Sequence, residues 1–254
     1  MVVNKHGSFY MRSGWGTKII QAVEQDAMIF TPSSEQEAID NIGLGRVMIK
    51  ALRYWSDAMG LTHEEKEQGG IRLVPEPIYY SILNHDLYFQ RVGSLLLLHR
   101  NLALNEENAT AWYWLFNEWK QNVFTKDAFV DGFHSFLSVN GMRVKKTAVD
   151  KEFNCLKNTY IGEGKFDKNS IMDEDTYPFL APLQILKETG KNTYEKRSLT
   201  GKEVPLEILI YSIAMDNIDE SSSGRQINID KLMEEKRQIG KYFGMKYSKL
   251  LELL

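Results

Sequence analysis

Several features that mark familiar protein classes are missing from this 254-residue sequence. A single cysteine, Cys155, excludes an intramolecular disulfide and a zinc site built from several cysteines, and it is typical of the reducing cytosol. No apolar run approaches the ~20 residues that cross a bilayer, and no long apolar segment follows His6 and Arg12 to make a signal peptide. We therefore expect a cytoplasmic protein with no membrane partner.

The sequence also lacks the excess of positive charge that marks many nucleic-acid-binding proteins. Its 31 Lys and Arg residues face 34 Asp and Glu residues, which gives a net charge of −3 and a pI near 6.0. Binding to nucleic acid would therefore have to rest on local basic patches. The sequence has enough apolar residues to form a packed core, because 43 % of the residues are hydrophobic and 5 Trp, 12 Tyr and 12 Phe are among them.

Residues 39–74 have the order helix, glycine-marked turn, helix and glycine-tipped β-hairpin. This is the order of a winged helix-turn-helix, in which the second helix commonly enters a DNA groove. The second helix, predicted over Arg46–Met59, has an apolar repeat at Val47, Ala51, Tyr54 and Ala58. Arg46, Lys50 and Arg53 share a neighbouring face, and we predict that they contact DNA phosphates. An ordinary solvated helix face is the alternative interpretation.

A similar order returns over residues 108–200. Two helices are predicted within 108–139, a third follows over 144–162, and two strand-like runs flank Gly190. The basic residues of this region are predicted to contact the DNA backbone from the third helix (Lys145, Lys146, Lys157) and from the wing (Lys187, Lys191, Lys196, Arg197). A solubilising surface is again the alternative.

The fold class that follows is mainly α, with two or three winged-helix-like units and small β-hairpin wings. We expect two domains, an N-terminal one over residues 1–104 and a C-terminal helical one over residues 105–254. The two predicted units share an order of elements and no residue-level repeat.

The N-terminal segment contains the candidate catalytic residues, His6 and Arg12. An imidazole can act as a general base, and a guanidinium can hold a phosphate through two hydrogen bonds. The alternative is that Phe9 and Trp15 anchor this segment on the core while the two polar side chains satisfy buried carbonyls. The acidic run 172–178 offers carboxylates for a cation, although such a run is more often a solvated loop, and no spacing typical of a metal nuclease occurs.

Five sequence blocks follow one another along nearly the whole chain: HGSFYMRSGW, LGRVMIKALRYW, NEENATAWYWLFNEW, TAVDKEFNCLKNTY and IGKYFGMKYSKLLELL. In content and order they resemble the bacterial family catalogued as domain of unknown function 4007. Members of that family lie in bacterial defence loci, often beside genes for a sulfur-activating protein. One branch resembles SspB, the nicking component of DNA phosphorothioation systems.

The resemblance implies a DNA-binding component of a bacterial phosphorothioation or anti-phage defence system. It further implies a DNA-nicking endonuclease that uses Mg²⁺ or Mn²⁺ and no organic cofactor. The partners would be DNA and, from the same locus, a sulfur-activating ATPase and a cysteine desulfurase. The residues leave open two rivals, a non-enzymatic DNA-binding adaptor and a winged-helix transcriptional regulator of the locus. They also leave the oligomeric state open, a dimer included.

Overall fold

The computed structural model describes residues 1–162, 176–218 and 226–251, and these residues form a mainly helical protein with small antiparallel sheets. The helices in chain order are α1 (Trp15–Gln25), α2 (Glu35–Ile42), α3 (Arg46–Ala58), α4 (Pro77–His85), α5 (Val92–Leu104), α6 (Thr110–Tyr113), α7 (Lys126–Val139), α8 (Lys146–Tyr160), α9 (Leu206–Asp216), α10 (Ile229–Glu234), α11 (Ile239–Tyr242) and α12 (Tyr247–Leu251). The strands are β1 (Thr62–Glu67), β2 (Gly70–Pro75), β3 (Val123–Thr125), β4 (Leu186–Gly190) and β5 (Thr193–Lys196). The predicted mainly helical class is confirmed.

The first unit packs α1, α2 and α3 together, with α3 also contacting the antiparallel β1–β2 hairpin. Gly43 ends α2 in the left-handed conformation at φ 72°, which glycine adopts without strain. On α3 the buried arc centres on Leu52 and Trp55. Val47 was expected in the apolar stripe and is 53 % exposed. The predicted stripe of Val47, Ala51, Tyr54 and Ala58 lies along one edge of the buried arc. Val47, the first residue of the stripe, lies outside the packed surface.

The second unit is built around a three-stranded sheet in the order β3–β5–β4, with β5 antiparallel to both neighbours. Thr125 caps α7, because its side-chain oxygen accepts a hydrogen bond from the backbone N–H of Ala128. Helices α7 and α8 pack against each other, and Phe129 and Phe153 are fully buried between them at 4.9 Å between ring centroids. The predicted third helix and hairpin are confirmed, and β3 is a strand that the sequence did not reveal.

The aromatic run after α6 does not continue as the regular helix that its spacing predicts. Residues Trp114–Glu118 form one π-helical turn, in which the N–H of Trp119 donates to the carbonyl of Trp114, five residues earlier, at 2.9 Å. The side chain of Asn117 is buried here and donates to the carbonyls of Ala103 and Tyr113. This polar side chain thus bonds the main chain inside the core, and the regular helical hydrogen-bond pattern ends at the π turn.

Side chains on the two sides of residue 104 contact each other in the interior. The rings of Trp55 and Trp112 meet edge to face at 5.4 Å, and α5 contacts both α6 and the π turn. The division into domains at 1–104 and 105–254 stays a prediction, and a continuous set of buried apolar residues runs across it. Over the described ranges, none of the helices combines the length and apolarity needed to cross a bilayer.

Candidate nucleic-acid interface

The exposed side of α8 and the residues just before it form a basic surface. The predicted inward residues of α8 are all buried, namely Val149, Phe153, Leu156 and Tyr160. Thr147 and Lys151 lie on the exposed side of the helix, and Arg143 and Lys145 are exposed ahead of its first turn. Within the described residues, these three cations make no ion pair. They are therefore available to an external anion.

The other two lysines predicted on α8 have partners. Lys146 Nζ lies 2.6 Å from Asp131 Oδ1, and both side chains are well exposed, so this pair contributes little stability and can exchange for a phosphate. Lys157 is half-buried and already has an interaction partner within the protein. Arg143 and Lys151 were not singled out from the sequence. The sequence feature that could have revealed them is their closeness along the chain to Lys145 and Lys146, at the start of α8.

The β4–β5 hairpin contributes a second group of cations. Lys187 and Lys191 are exposed and make no ion pair with any residue that the structure describes. Both line a concave surface of about 1080 Å³ beside the end of α8. The carbonyl of Asn192, in the hairpin turn, accepts a hydrogen bond from the N–H of Lys126 at 3.0 Å. This bond ties the hairpin to the start of α7 and sets the hairpin cations close to the α7–α8 pair.

Lys196 and Arg197, which the sequence predicts on the wing, are occupied elsewhere. Lys196 Nζ donates to the carbonyls of Leu115 and Trp119 at 2.8 and 2.6 Å, and burial lowers the pKa of this lysine to about 8. Arg197 donates to main-chain carbonyls and pairs with Glu203 at 2.7 Å. Both residues line a cleft formed with the C-terminal helices, so the basic cluster predicted over 145–197 divides into two.

The cations predicted on α3 are all paired with glutamates. Arg46 and Lys50 share Glu35, at 2.8 and 3.3 Å. Arg53 holds both carboxylate oxygens of Glu64, at 2.6 and 2.8 Å, and this hydrogen bonding lowers the pKa of Glu64. Two carboxylates thus offset three cations, and the first unit presents a weaker basic surface than the second.

His6 is fully buried in a ring of aromatic side chains formed by Tyr54, Trp55 and Trp112. Its Nδ1 accepts the N–H of Ser8 at 3.0 Å, and its Nε2 lies 3.1 Å from Glu152 Oε2. Because Nδ1 accepts a backbone N–H, the ring N–H is assigned to Nε2, which donates to the carboxylate. The same carboxylate oxygen accepts the N–H of Asn4. Both ring nitrogens are engaged, and the geometry is that of an anchor holding the N-terminal segment on α8.

Arg12 is the other candidate catalytic residue. Its guanidinium lies against the rings of Tyr10 and Trp15, at 5.1 and 5.6 Å from their centroids. The buried Nε has no hydrogen-bond partner among the described residues. The backbone of Arg12 pairs with Pro178, at the end of the predicted acidic run. Residues 172–175 of that run lie outside the described residues, so the catalytic role of Arg12 stays a prediction.

The arrangement of the described donor side chains bears on the predicted divalent cation. In residues 1–162, 176–218 and 226–251, no group of three or more His, Cys, Asp or Glu side chains is arranged to hold a metal ion. Burial also raises the pKa of the Cys155 thiol well above its usual value, which keeps it protonated. Binding of Mg²⁺ or Mn²⁺ and metal-dependent cutting therefore stay predictions.

A family model described as "Protein of unknown function (DUF4007)" matches residues 3–254. The chain belongs to this family. Two solved structures share the fold of this family member, namely "Magnesium ion-bound SspB crystal structure" at 20 % identity with a TM-score of 0.82, and "SspB crystal structure" at 22 % with a TM-score of 0.81. Each alignment covers 99 % of this chain and 76 % of the SspB chain. Among curated proteins none matches this sequence.

Proposed function

We propose that this protein binds duplex DNA through its second unit, with α8 at a groove and the β4–β5 hairpin along the neighbouring backbone. The order β3, α7, α8, β4, β5, with β5 between the other two strands, supports the assignment of this unit as a winged helix-turn-helix. The observation that carries the proposal is a set of exposed cations, just before α8, on α8 and on the hairpin, that no described carboxylate neutralises: Arg143, Lys145, Lys151, Lys187 and Lys191.

The charge balance of the chain supports this assignment to the second unit. Because the protein has a net charge of −3, the whole molecule repels a polyanion weakly and binding depends on the local patch. Thr147, on the exposed side of α8, adds a hydroxyl that can donate to a phosphate or a base edge. Cations without a partner bind phosphate without first breaking an ion pair, which distinguishes this surface from the paired cations of α3.

We further propose that the protein acts as the SspB-like, DNA-binding component of a phosphorothioation system. The family blocks and the shared fold support this assignment. The sulfur-activating ATPase and the cysteine desulfurase are the proposed partners. Nicking of DNA with Mg²⁺ or Mn²⁺ is a second candidate activity, favoured by the magnesium ion in one of the SspB structures.

Fluorescence anisotropy with a labelled duplex of mixed sequence tests the binding proposal. The variant Lys145→Ala/Lys151→Ala/Lys191→Ala removes two helix cations and one hairpin cation. At about 1 kcal/mol for each exposed contact, we expect its Kd to rise about 100-fold. The matched control, Arg46→Ala/Lys50→Ala/Lys66→Ala, removes the same charge from the helix and hairpin of the first unit and should change Kd less than about threefold. Equal losses in the two variants would contradict the assignment to the second unit.

Two further assays separate the rival functions. Supercoiled plasmid incubated with the protein and Mg²⁺ or Mn²⁺ should yield open-circular DNA if the protein nicks. If the open-circular product does not exceed that of a parallel Arg12→Ala preparation, the nicking candidate is contradicted. The DNA-binding proposal is not affected by that result. Footprinting separates a regulator, which protects one short operator near its own gene, from an adaptor, which protects DNA without a preferred sequence.

A further inference from the structure

A cleft of about 710 Å³ lies between the π-helical turn, the end of β5 and the C-terminal helices α10 to α12. It is separate from the proposed duplex surface, because none of the five cations proposed to contact duplex DNA lines it. Its charged lining consists of six cations and two carboxylates: Lys120, Lys196, Arg197, Lys236, Lys241 and Lys246, with Glu118 and Glu234. Arg197 pairs with Glu203 outside the lining, so three cations of the cleft, Lys120, Lys196 and Lys246, have no carboxylate partner among the described residues, in a protein that is negative overall.

The carboxylates neutralise only part of this lining. Glu118 pairs with Lys236 at 2.6 Å, and Glu234 lies 3.7 Å from Lys241. Lys120 and Lys246 are exposed and form no ion pair with the described part of the chain. These two side chains can reach an incoming anion without breaking an existing pair.

Lys196 is the most buried cation of the cleft. An ammonium has three N–H donors, and two of them are taken by the carbonyls of Leu115 and Trp119. The third donor finds no acceptor among the described residues. Burial and the nearby charge of Lys241 lower the pKa of Lys196 to about 8, so the charged form lacks a counter-ion that a bound anion would supply.

We propose that this cleft binds the phosphate groups of a nucleotide, either a free nucleotide or the terminal nucleotide of a DNA strand. Its volume lies within the ~300–1000 Å³ typical of small-molecule sites. The surplus of cations selects an anion, and the partly exposed aromatic rings of Trp119 and Tyr247 in the lining offer surfaces on which a base can stack. Such a site goes beyond duplex binding, since it holds a single nucleotide and not a double helix.

The test measures binding of a fluorescent ATP analogue, N-methylanthraniloyl-ATP, to the full chain by anisotropy. Wild-type protein should show saturable binding. The variant Lys120→Ala/Lys246→Ala removes two unpaired, exposed ammonium groups without disturbing the core, and at about 1.5 kcal/mol or more for each charged hydrogen bond its Kd should rise at least about 100-fold. Lys66→Ala/Lys202→Ala, with two exposed lysines outside the cleft, is the matched control and should stay within about twofold.

Competition identifies the source of the nucleotide. Stronger displacement of the analogue by ATP than by 5′-phosphorylated oligo(dT) supports a free nucleotide, and the reverse order supports a strand end. Absence of saturable binding, or equal weakening in the control variant, would overturn the proposal. So would inorganic phosphate that displaces the analogue as strongly as ATP does, because the rest of the nucleotide would then add nothing to binding. Duplex affinity of Lys120→Ala/Lys246→Ala should match the wild type, so that a failure of this site and a failure of the duplex proposal give different results.

Discussion

Replacing His6 by alanine tests whether this buried histidine is an anchor or a catalyst. The substitution removes a ring packed against Trp55 and Trp112, and it leaves the buried carboxylate of Glu152 with the N–H of Asn4 as its remaining donor among the contacts described above. Losing a hydrogen bond to a buried carboxylate costs about 1.5–3 kcal/mol, and the cavity left by the ring raises the total to about 3–5 kcal/mol, out of a total stability of about 5–15 kcal/mol. For a chain of this size, that loss lowers Tm by about 10 °C.

Urea unfolding followed by tryptophan fluorescence measures this loss directly, because two of the reporting indoles flank the imidazole. The neighbouring Lys5→Ala is the control, since Lys5 is exposed and makes a single 3.3 Å hydrogen bond to Asn108. It should cost less than about 0.5 kcal/mol. A His6→Ala protein within 1 kcal/mol of wild type would refute the anchor. If that stable protein also lost DNA nicking, His6 would regain its place as a catalytic candidate.

Two further substitutions test the core. Burial lowers the pKa of His99 to about 4 from 6.5, so between these pH values the unfolded chain binds more protons than the folded chain. We therefore expect the free energy of unfolding to fall by about 3 kcal/mol as the pH falls from 6.5 to 4. Urea unfolding at several pH values should show a smaller loss in His99→Gln. An identical pH dependence in both proteins would contradict this. A Cβ on Gly240 would lie 2.3 Å from the carbonyl oxygen of Met233, so Gly240→Ala should cost about 1–3 kcal/mol in thermal unfolding, whereas Gly45→Ala, which meets nothing within 4 Å, should not.

The sequence predicts those helices best whose apolar residues follow one clear face. Phe129 and Phe153 lie on such faces of α7 and α8, and both helices form close to the predicted ranges. The prediction fails after α6, because the hydrogen bonds of Asn117 to the main chain depend on packing that the local pattern does not contain. Strand β3 is missed for a related reason. Its three residues gain their structure from pairing with β5, about 70 residues away.

The charge pattern locates the cations and does not show which of them are neutralised. Arg53 and Glu64 are 11 residues apart, and His6 and Glu152 are 146 apart. Neither pair could be anticipated without the tertiary fold. The cleft shows the same limit, since Lys120 and Lys246 come from distant parts of the chain and meet only when the C-terminal helices pack beside the π turn.

The dependence of duplex affinity on salt concentration tests the central proposal most directly. Each phosphate contact contributes about −0.9 to the slope of log K against log[salt], so contacts from the five cations of the second unit predict a slope of about −4 to −5 for wild-type protein. The variant Lys145→Ala/Lys151→Ala/Lys191→Ala should flatten the slope by about 2 to 3. A wild-type slope near zero, or one that the variant leaves unchanged, would contradict DNA binding through α8 and the β4–β5 hairpin.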